Sequence, residues 1–468
     1  MISAIFKREL VRQWRSRTLR ILLPLSLVLA AAVAAVHWHQ QQAFFATQGH
    51  WQEVNDELFR TQPDRHPHRV SHYGSLAFRF SSPLAFLDAG VNPYVGNVLF
   101  LEGHRQNSSG LRQFTVSARE LGLGYLSVAT LVLVLWPLVL VALAHGAVSD
   151  ERANGNFNLL LSLGVRPLQF LAGQGLVFLL ISAFYLAFLA VIAGAFVLAS
   201  PVAADGDVWL RLGLGLLLYF GYWLVWILAI LLVSYHSRSS ARSLLFALGL
   251  WLLWVVLVPR TLTTVSEVAY PAPSRSAFDI QVENAIARIG DSHNPDDPYF
   301  NDFRKSVLDR YGVERVEDLP VNWRGIVMQE GERIGTVVFD EHYGQLIDTY
   351  RRQDRFYDWL SLVSPYALVA RLSTEVTGTD AESYYDFERQ AEAYRFGMIS
   401  ELNELHAGKL DYHTDKQTRL GSSHWEAFAP FEYRRPTLDL PPQRLALLAV
   451  AVLLWAAAAI VVFRRRTA

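Results

Sequence analysis

Apolar runs of membrane-crossing length alternate along this chain with polar stretches of two very different sizes. A helix needs about 20 mostly apolar residues to traverse the hydrocarbon core. On that measure the hydropathy pattern predicts spans at 21–38, 124–146, 170–199, 208–234, 243–259 and 443–463. The fifth is the shortest, yet Leu244 to Val258 carries no charge, and Arg242 and Arg260 bracket it. Nearly all the polar mass falls in two blocks, 39–123 and 260–442, whereas the other connections, such as 147–169, are short.

Arginine sets the orientation, because short loops rich in Lys and Arg stay in the cytoplasm and long translocated domains count little. Arg8, Arg12, Arg15, Arg17 and Arg20 precede the first span, Arg238 and Arg242 lie between the fourth and fifth, and Arg464, Arg465 and Arg466 follow the sixth. The expectation is a six-span chain with both termini inside, 464–468 as a cytoplasmic tail, and both long blocks outside. A basic start followed by Ala30 to Ala35 also fits a cleaved signal peptide. Against that, residues 1–20 are themselves amphipathic, with Ile5, Phe6, Leu10 and Trp14 sharing a face opposite the arginines, which predicts an interfacial helix.

Composition agrees with a membrane domain plus outer domains: 52% hydrophobic and 18% charged is too apolar for a soluble chain and too polar for a bare bundle. A net charge of −1 offers nothing to nucleic acid. The absence of cysteine removes disulfides, thiol chemistry and thiolate metal sites.

The second outer block reads as helical. Phe278, Val282, Ile286 and Ile289 recur at helical spacing, as do Phe339, Tyr343, Leu346, Ile347 and Tyr350, and then Phe387, Ala391, Tyr394 and Met398. Breaks at His293 to Pro298 and at Leu319 to Pro320 separate them. The first block is richer in turns, with β-prone runs at Ser75 to Phe80 and Val95 to Leu101. His66, His68 and His72 read as solvated histidines of the loop around Pro63 to Pro67, since no acidic or cysteine partner has ligand spacing nearby, and no metal site is assigned. Asp380, Glu382, Asp386 and Glu388 read as a solvated helix start capped by Thr379 or Asp380. No HExxH, hydrolase triad or paired carboxylate can be argued, so the chain is expected to be non-catalytic.

The expected span interiors are nearly free of ionisable residues, unlike those of gradient-driven transporters. The chain also lacks a GxxxxGK[ST] loop: its single Gly-Lys pair, Gly408-Lys409, is followed by Leu410. No cofactor is therefore assigned to this chain, and any ATP would be hydrolysed on another subunit. The loop after the second span pairs charged ends with an apolar centre: Asp150, Glu151 and Arg152, then Gly155, then Phe157, Leu160 and Leu161, then Arg166-Pro167. By itself it reads as a short amphipathic helix at the interface, with Arg166 snorkelling. In span four, Tyr219, Tyr222, Trp223 and Trp226 share one helical face. That face either lines a path for an apolar or amphipathic cargo or packs against Trp251 and Trp254 of span five.

The segment Ser149 to Pro167, together with His72-Tyr73-Gly74, Ser82-Pro83-Leu84, Asn322-Trp323-Arg324-Gly325, Phe339-Asp340-Glu341-His342-Tyr343 and Gly378-Thr379-Asp380, resembles the bacterial ABC-2 permeases that bear the DUF3526 domain. Asn156 stands where that family usually has Thr, and Gly164 where it often has Pro. The resemblance implies an all-α integral membrane fold with a six-helix, type V exporter-like membrane domain and two extracytoplasmic domains, in the bacterial inner membrane. It makes 1–20 the elbow helix. It makes roughly Gly155 to Leu163 the coupling helix, with Asp150, Glu151, Arg152, Gly155, Phe157, Leu160, Leu161 and Arg166 at the ATPase contact. Two permeases, identical or paralogous, would join a dimer of ABC ATPase subunits carrying ATP and Mg, with a periplasmic partner as a further candidate. The implied function is export or extrusion of a substrate. The alternative is a mechanotransmitter that passes ATPase motion to periplasmic proteins without moving cargo.

Overall fold

The computed structural model describes residues 1–106, 126–202, 204–292 and 294–439, with 442–444, 446, 447, 449 and 450 beyond them. Most of the sixth expected span, the tail 464–468, residues 124–125 at the start of the second span and residues 107–123 of the first outer block lie outside the described residues. Five helices among those described are long and apolar enough to cross a membrane.

An amphipathic helix α1 (Ile2–Arg15) leads into α2 (Arg17–Arg60), whose start is fixed by Ser16 accepting from Leu19 N at 3.1 Å. At 44 residues, α2 is about 66 Å long, roughly twice the hydrocarbon thickness. The segment expected as span 21–38 therefore continues unbroken into the outer domain. There the strand β1 (Ser75–Phe78) packs against it and pairs antiparallel with β2 (Val98–Leu101), Ser75 opposite Leu101, while α3 (Pro67–Tyr73) packs on the helix Ala381–Lys409. This two-stranded ribbon qualifies the all-α expectation; it forms where the two β-prone runs were read.

The remaining candidate spans are α4 (Val128–Ala153), α6 (Pro167–Leu198), α7 (Gly206–His236) and α8 (Ser240–Ala269), with the short α5 (Asn156–Ser162) between the first two of these. Side-chain caps set their starts: Asp205 accepts from Val208 N and Ser239 from Arg242 N. In the second outer block follow α9 (Arg275–Ile289), α10 (Pro298–Tyr311), α11 (Trp323–Leu360), α12 (Pro365–Thr377) and α13 (Ala381–Lys409). Each of the three helical periodicities read from the sequence lies on one of α9, α11 and α13. Gly312 and Gly378, both at φ near +70°, end α10 and α12.

Two spans carry a π turn just before a proline, and the bundle is arranged around the carbonyls this exposes. In α4 the π turn covers Leu131–Leu135 and Pro137 follows. Proline has no N–H, so it cannot serve Val132 O, five residues back, or Leu133 O, four back. Trp223 Nε1 donates to Val132 O at 2.9 Å, Tyr222 Oη to Leu133 O at 2.7 Å, and Trp251 Nε1 to Val134 O at 3.0 Å. In α8 the π turn at Leu252–Leu257 precedes Pro259, and Ser364 Oγ donates to Trp254 O at 2.6 Å. Unpaired carbonyls in a bilayer cost several kcal/mol, so these side chains are what makes the irregular backbone tolerable there. Tyr222→Phe, which removes just a hydroxyl, is expected to destabilise the protein by about 1–3 kcal/mol. An unfolding midpoint in detergent identical to wild type would show that the hydroxyl is not closing the break.

The second outer block does not stay outside the spans. Ser364, in the turn between α11 and α12, reaches Trp254 in the middle of α8, and Tyr219 Oη lies 2.7 Å from Ser373 Oγ of α12. A Cβ at Gly215 of α7 would sit 3.3 Å from Val376 Cγ1. The end of α11 and all of α12 thus form a re-entrant hairpin alongside α7 and α8, joined to the bundle core through Val369. With it come charges the sequence reading placed outside, which meet Arg444 from the start of the expected sixth span: Arg371 pairs with Asp354 at 2.8 Å and Asp358 at 3.2 Å, and Arg444 pairs with Asp358 at 2.7 Å and with Glu375.

Candidate functional site

At the end of the bundle where α1 lies, that helix packs across α6 so closely that a Cβ at Gly173 would come within 2.7 Å of Ile5 Cγ2. Glu9, fully buried, accepts from Arg12 twice at 2.7 Å and from Gln13 at 2.7 Å. Arg8 reaches Glu151 at 2.8 Å and so ties α1 to the C-terminal end of α4. On the other side of that end, Ser234 Oγ accepts from Val148 N and Ser149 N, and Arg152 donates to Ser237 O at 3.2 Å. The end of α4 is therefore clamped between α1 and the end of α7.

Beyond this clamp, α5 begins after Gly155 (φ 77°) and is followed by Gly164 (φ 86°), two left-handed positions that let a short helix stand between two long ones. Phe157, expected as an outward anchor, points inward. It is 3% exposed, packs edge-on to Phe170 at 5.2 Å and Tyr235 at 6.1 Å, and lies under Arg152. Glu151 is likewise buried, and Leu160 and Leu161 are half-buried against the core. Asp150 is half-buried, whereas Gly155 and Arg166 are exposed. The outward apolar face consists instead of Leu159, 59% exposed, and Leu163, 65% exposed. The helical period explains the error: in a seven-residue helix, Phe157, Leu160 and Leu161 fall on the face that closes onto the bundle, and Leu159 and Leu163 fall opposite.

The span-four aromatics pack inside the bundle of this chain. Tyr219, Tyr222, Trp223 and Trp226 are all buried. Trp226 meets Trp254 at 5.1 Å, and Trp223 sits beside Trp136, itself stacked on Tyr185 at 4.0 Å. Tyr222 and Trp223 take the π-turn carbonyls as polar partners and Tyr219 takes Ser373 Oγ, none of which sequence spacing could reveal. The concavity at this level is a cleft of about 130 Å³ between α4, α8 and the re-entrant hairpin. It is lined by Leu133, Val134 and Tyr366 on its apolar side and by Asp354, Arg371 and Arg444 on its charged side.

His66 and His68 are not the solvated loop residues expected from the sequence, whereas His72, on α3, does face solvent. Asp415, 349 positions from His66 in sequence, accepts from His66 Nε2 at 3.2 Å, His406 Nε2 at 2.7 Å, Asn322 at 2.8 Å and Arg324 at 2.7 Å. Burial opposes its ionisation, but these donors outweigh burial and hold the carboxyl down at about 2. Beside it, His68, His72 and His104 converge. Burial, with the neighbouring imidazoles, pushes His68 down to about 4.

These features define a helical membrane protein whose apolar bundle carries a short helix at one end and a mainly helical domain at the other. A family model described as a domain of unknown function, DUF3526, matches residues 275–434, from the first turn of α9 to just past Tyr433. No curated protein matches the chain.

Proposed function

We propose that this chain is the membrane subunit of an ATP-driven exporter of the ABC-2 type in a bacterial inner membrane, with ATP and Mg bound by a separate ATPase dimer. A second permease copy, identical or paralogous, would complete the assembly. The observation that carries this reading is the short helix α5. It follows directly on the end of α4, which the Arg8–Glu151 pair and the Arg152–Ser237 bond fix, is seated on the bundle by the buried Phe157, and presents Leu159 and Leu163 outward. A coupling element needs both properties, since a docking helix that moved independently of the spans would transmit nothing. Aliphatic anchors entering a partner's groove are a standard way to hold such a contact. The cleft beside Arg371 is the better candidate for cargo contact than the buried aromatic face of α7, because it is a concavity that joins an apolar wall to charged side chains.

The test is a pair of variants. Leu159→Asp with Leu163→Asp is expected to abolish co-purification of the ATPase while the chain inserts and elutes as wild type. Phe157→Asp is expected to lower the amount of folded chain instead, because it places a carboxylate in the core. Full retention of the ATPase by the double variant would refute docking at α5. Mechanotransmission to a periplasmic partner shares this docking and differs in cargo. ATP-dependent substrate release into the lumen of inverted vesicles favours export, and its absence with intact ATPase turnover favours transmission.

A further inference from the structure

We infer that the outer domain carries a three-histidine centre for a late first-row divalent cation of the Zn²⁺ class, built from His68, His72 and His104. His68 and His72 stand one turn apart on α3, and their Nε2 atoms are 3.3 Å from each other. Metal–nitrogen bonds of about 2.0–2.1 Å in a tetrahedral site set neighbouring ligand nitrogens about 3.3 Å apart. Two of the three rings therefore already stand at a ligand–ligand edge. His104 arrives from the turn after β2, with its ring centre 5.5 Å from His68 and 5.2 Å from His72. One ligand atom from each of the three lies within 4.8 Å of the others.

The turn that delivers His104 is built tightly. Gly103 N donates to Ser71 O at 3.0 Å, and a Cβ on Gly103 would lie 3.1 Å from Ser71 Oγ, so the turn rests directly on α3. His104 is the single non-glycine residue with positive φ, 64°, among the described residues, a conformation that L side chains rarely adopt without compensation. Its compensation is Glu332, whose carboxylate receives the backbone N–H of His104 and sits 2.8 Å from Nδ1. Glu332 is itself fixed by the fully buried Arg395 at 3.0 Å, which also donates to Glu102 O at 3.2 Å. A carboxylate on one ring nitrogen orients the imidazole and leaves the other nitrogen for the metal, the arrangement that supports metal-bound histidines generally.

The ligand set decides the class of ion. Three imidazoles with no inner carboxylate suit Zn²⁺ and its neighbours in the series and disfavour Mg²⁺ and Ca²⁺, which take oxygen. His72 and His104 face solvent, so a fourth position stays accessible and the ion can exchange. The adjacent His66, His406 and Asp415 group is the weaker candidate: Asn322 and Arg324 already donate to Asp415, and His66 Nδ1 already accepts from His68 N at 3.2 Å. The inference is independent of the ATPase reading.

The experiment uses the full chain in detergent, purified without a histidine tag and titrated with Zn²⁺ by calorimetry and with Co²⁺ by visible absorption. One tight Zn²⁺ per chain is expected, unaffected by millimolar Mg²⁺, together with the intense bands of four-coordinate Co²⁺. His72→Ala and His104→Ala should each weaken Zn²⁺ at least about 100-fold, the upper end of what losing an outer-shell partner alone does. The exposed His413→Ala should leave it unchanged. His72→Gln, with the same thermal midpoint as wild type, separates lost ligation from lost folding. Wild-type affinity in the His72 and His104 variants, or weak six-coordinate Co²⁺ bands in the wild type, would overturn the assignment.

Discussion

Arg395→Ala is expected to remove about 3–5 kcal/mol from the stability of the outer domain, the range for breaking a buried ion pair from one side. Its side chain is fully buried and pairs with Glu332 at 3.0 Å and Glu392 at 2.8 Å. It also donates to Thr336 Oγ1 at 3.1 Å and Glu102 O at 3.2 Å. Truncation strands the Glu332 carboxylate, 2% exposed, and frees the turn that carries His104. Lysine cannot reproduce a fork that serves two carboxylates at once, so Arg395→Lys should recover a minor part of the loss. Chemical denaturation followed by tryptophan fluorescence provides the readout, and Trp425, fully buried against Phe428 and Met398, is a suitable reporter. A shift below about 1 kcal/mol, as for a surface pair, would mean the hub is solvated.

Arg371→Ala should have an effect of the same size at the re-entrant hairpin. Arg371 bridges Asp354 and Asp358 across the turn, and Arg444 reaches Asp358 and Glu375 from the chain after the outer block. Without Arg371, Asp354 has lost the guanidinium that faces it at 2.8 Å in a poorly solvated place. The chain has no native cysteine, so the hairpin's position can be tested directly. Gly215→Cys with Val376→Cys should crosslink readily in the wild-type background, because a Cβ at 215 lies 3.3 Å from the Val376 side chain. Arg371→Ala should slow that crosslink several-fold. A pair that fails to crosslink in the wild-type background would contradict the re-entrant placement.

Much of the helical frame was legible because hydropathy and period are local properties. The apolar runs ending in α4, α6, α7 and α8, the periodicities now on α9, α11 and α13, and the β-prone runs that pair as β1 and β2 all follow from residue spacing. The extension of α2 to Arg60 was not legible, since nothing in a polar sequence marks where a helix leaves the membrane. Nor was the hairpin: Asp354, Asp358 and Arg371 look like solvated helix residues until the fold pairs them.

The site residues divide in the same way. The loop 147–169 was recognisable, but its outward face was not, because a seven-residue helix gives too little pattern to tell Phe157 from Leu159. The aromatic face of span four was read correctly as one face, while its function in serving Val132 O and Leu133 O depended on Pro137 in another helix. For the histidines, local spacing could not show what the fold packs against them. Asp415 and Glu332, which pair with His66 and His104, come from distant segments, so the residues near Pro63 to Pro67 could not reveal them.

The central claim is that an ATPase docks on α5. Photoreactive amino acids placed at Leu159 and Leu163 test it most directly, because both side chains are exposed and substitution there leaves the clamp intact. The account predicts that irradiation of native membranes attaches an ATP-binding polypeptide at both positions, and that none attaches at the buried Phe157. Adducts with lipid alone at Leu159 and Leu163 would contradict it.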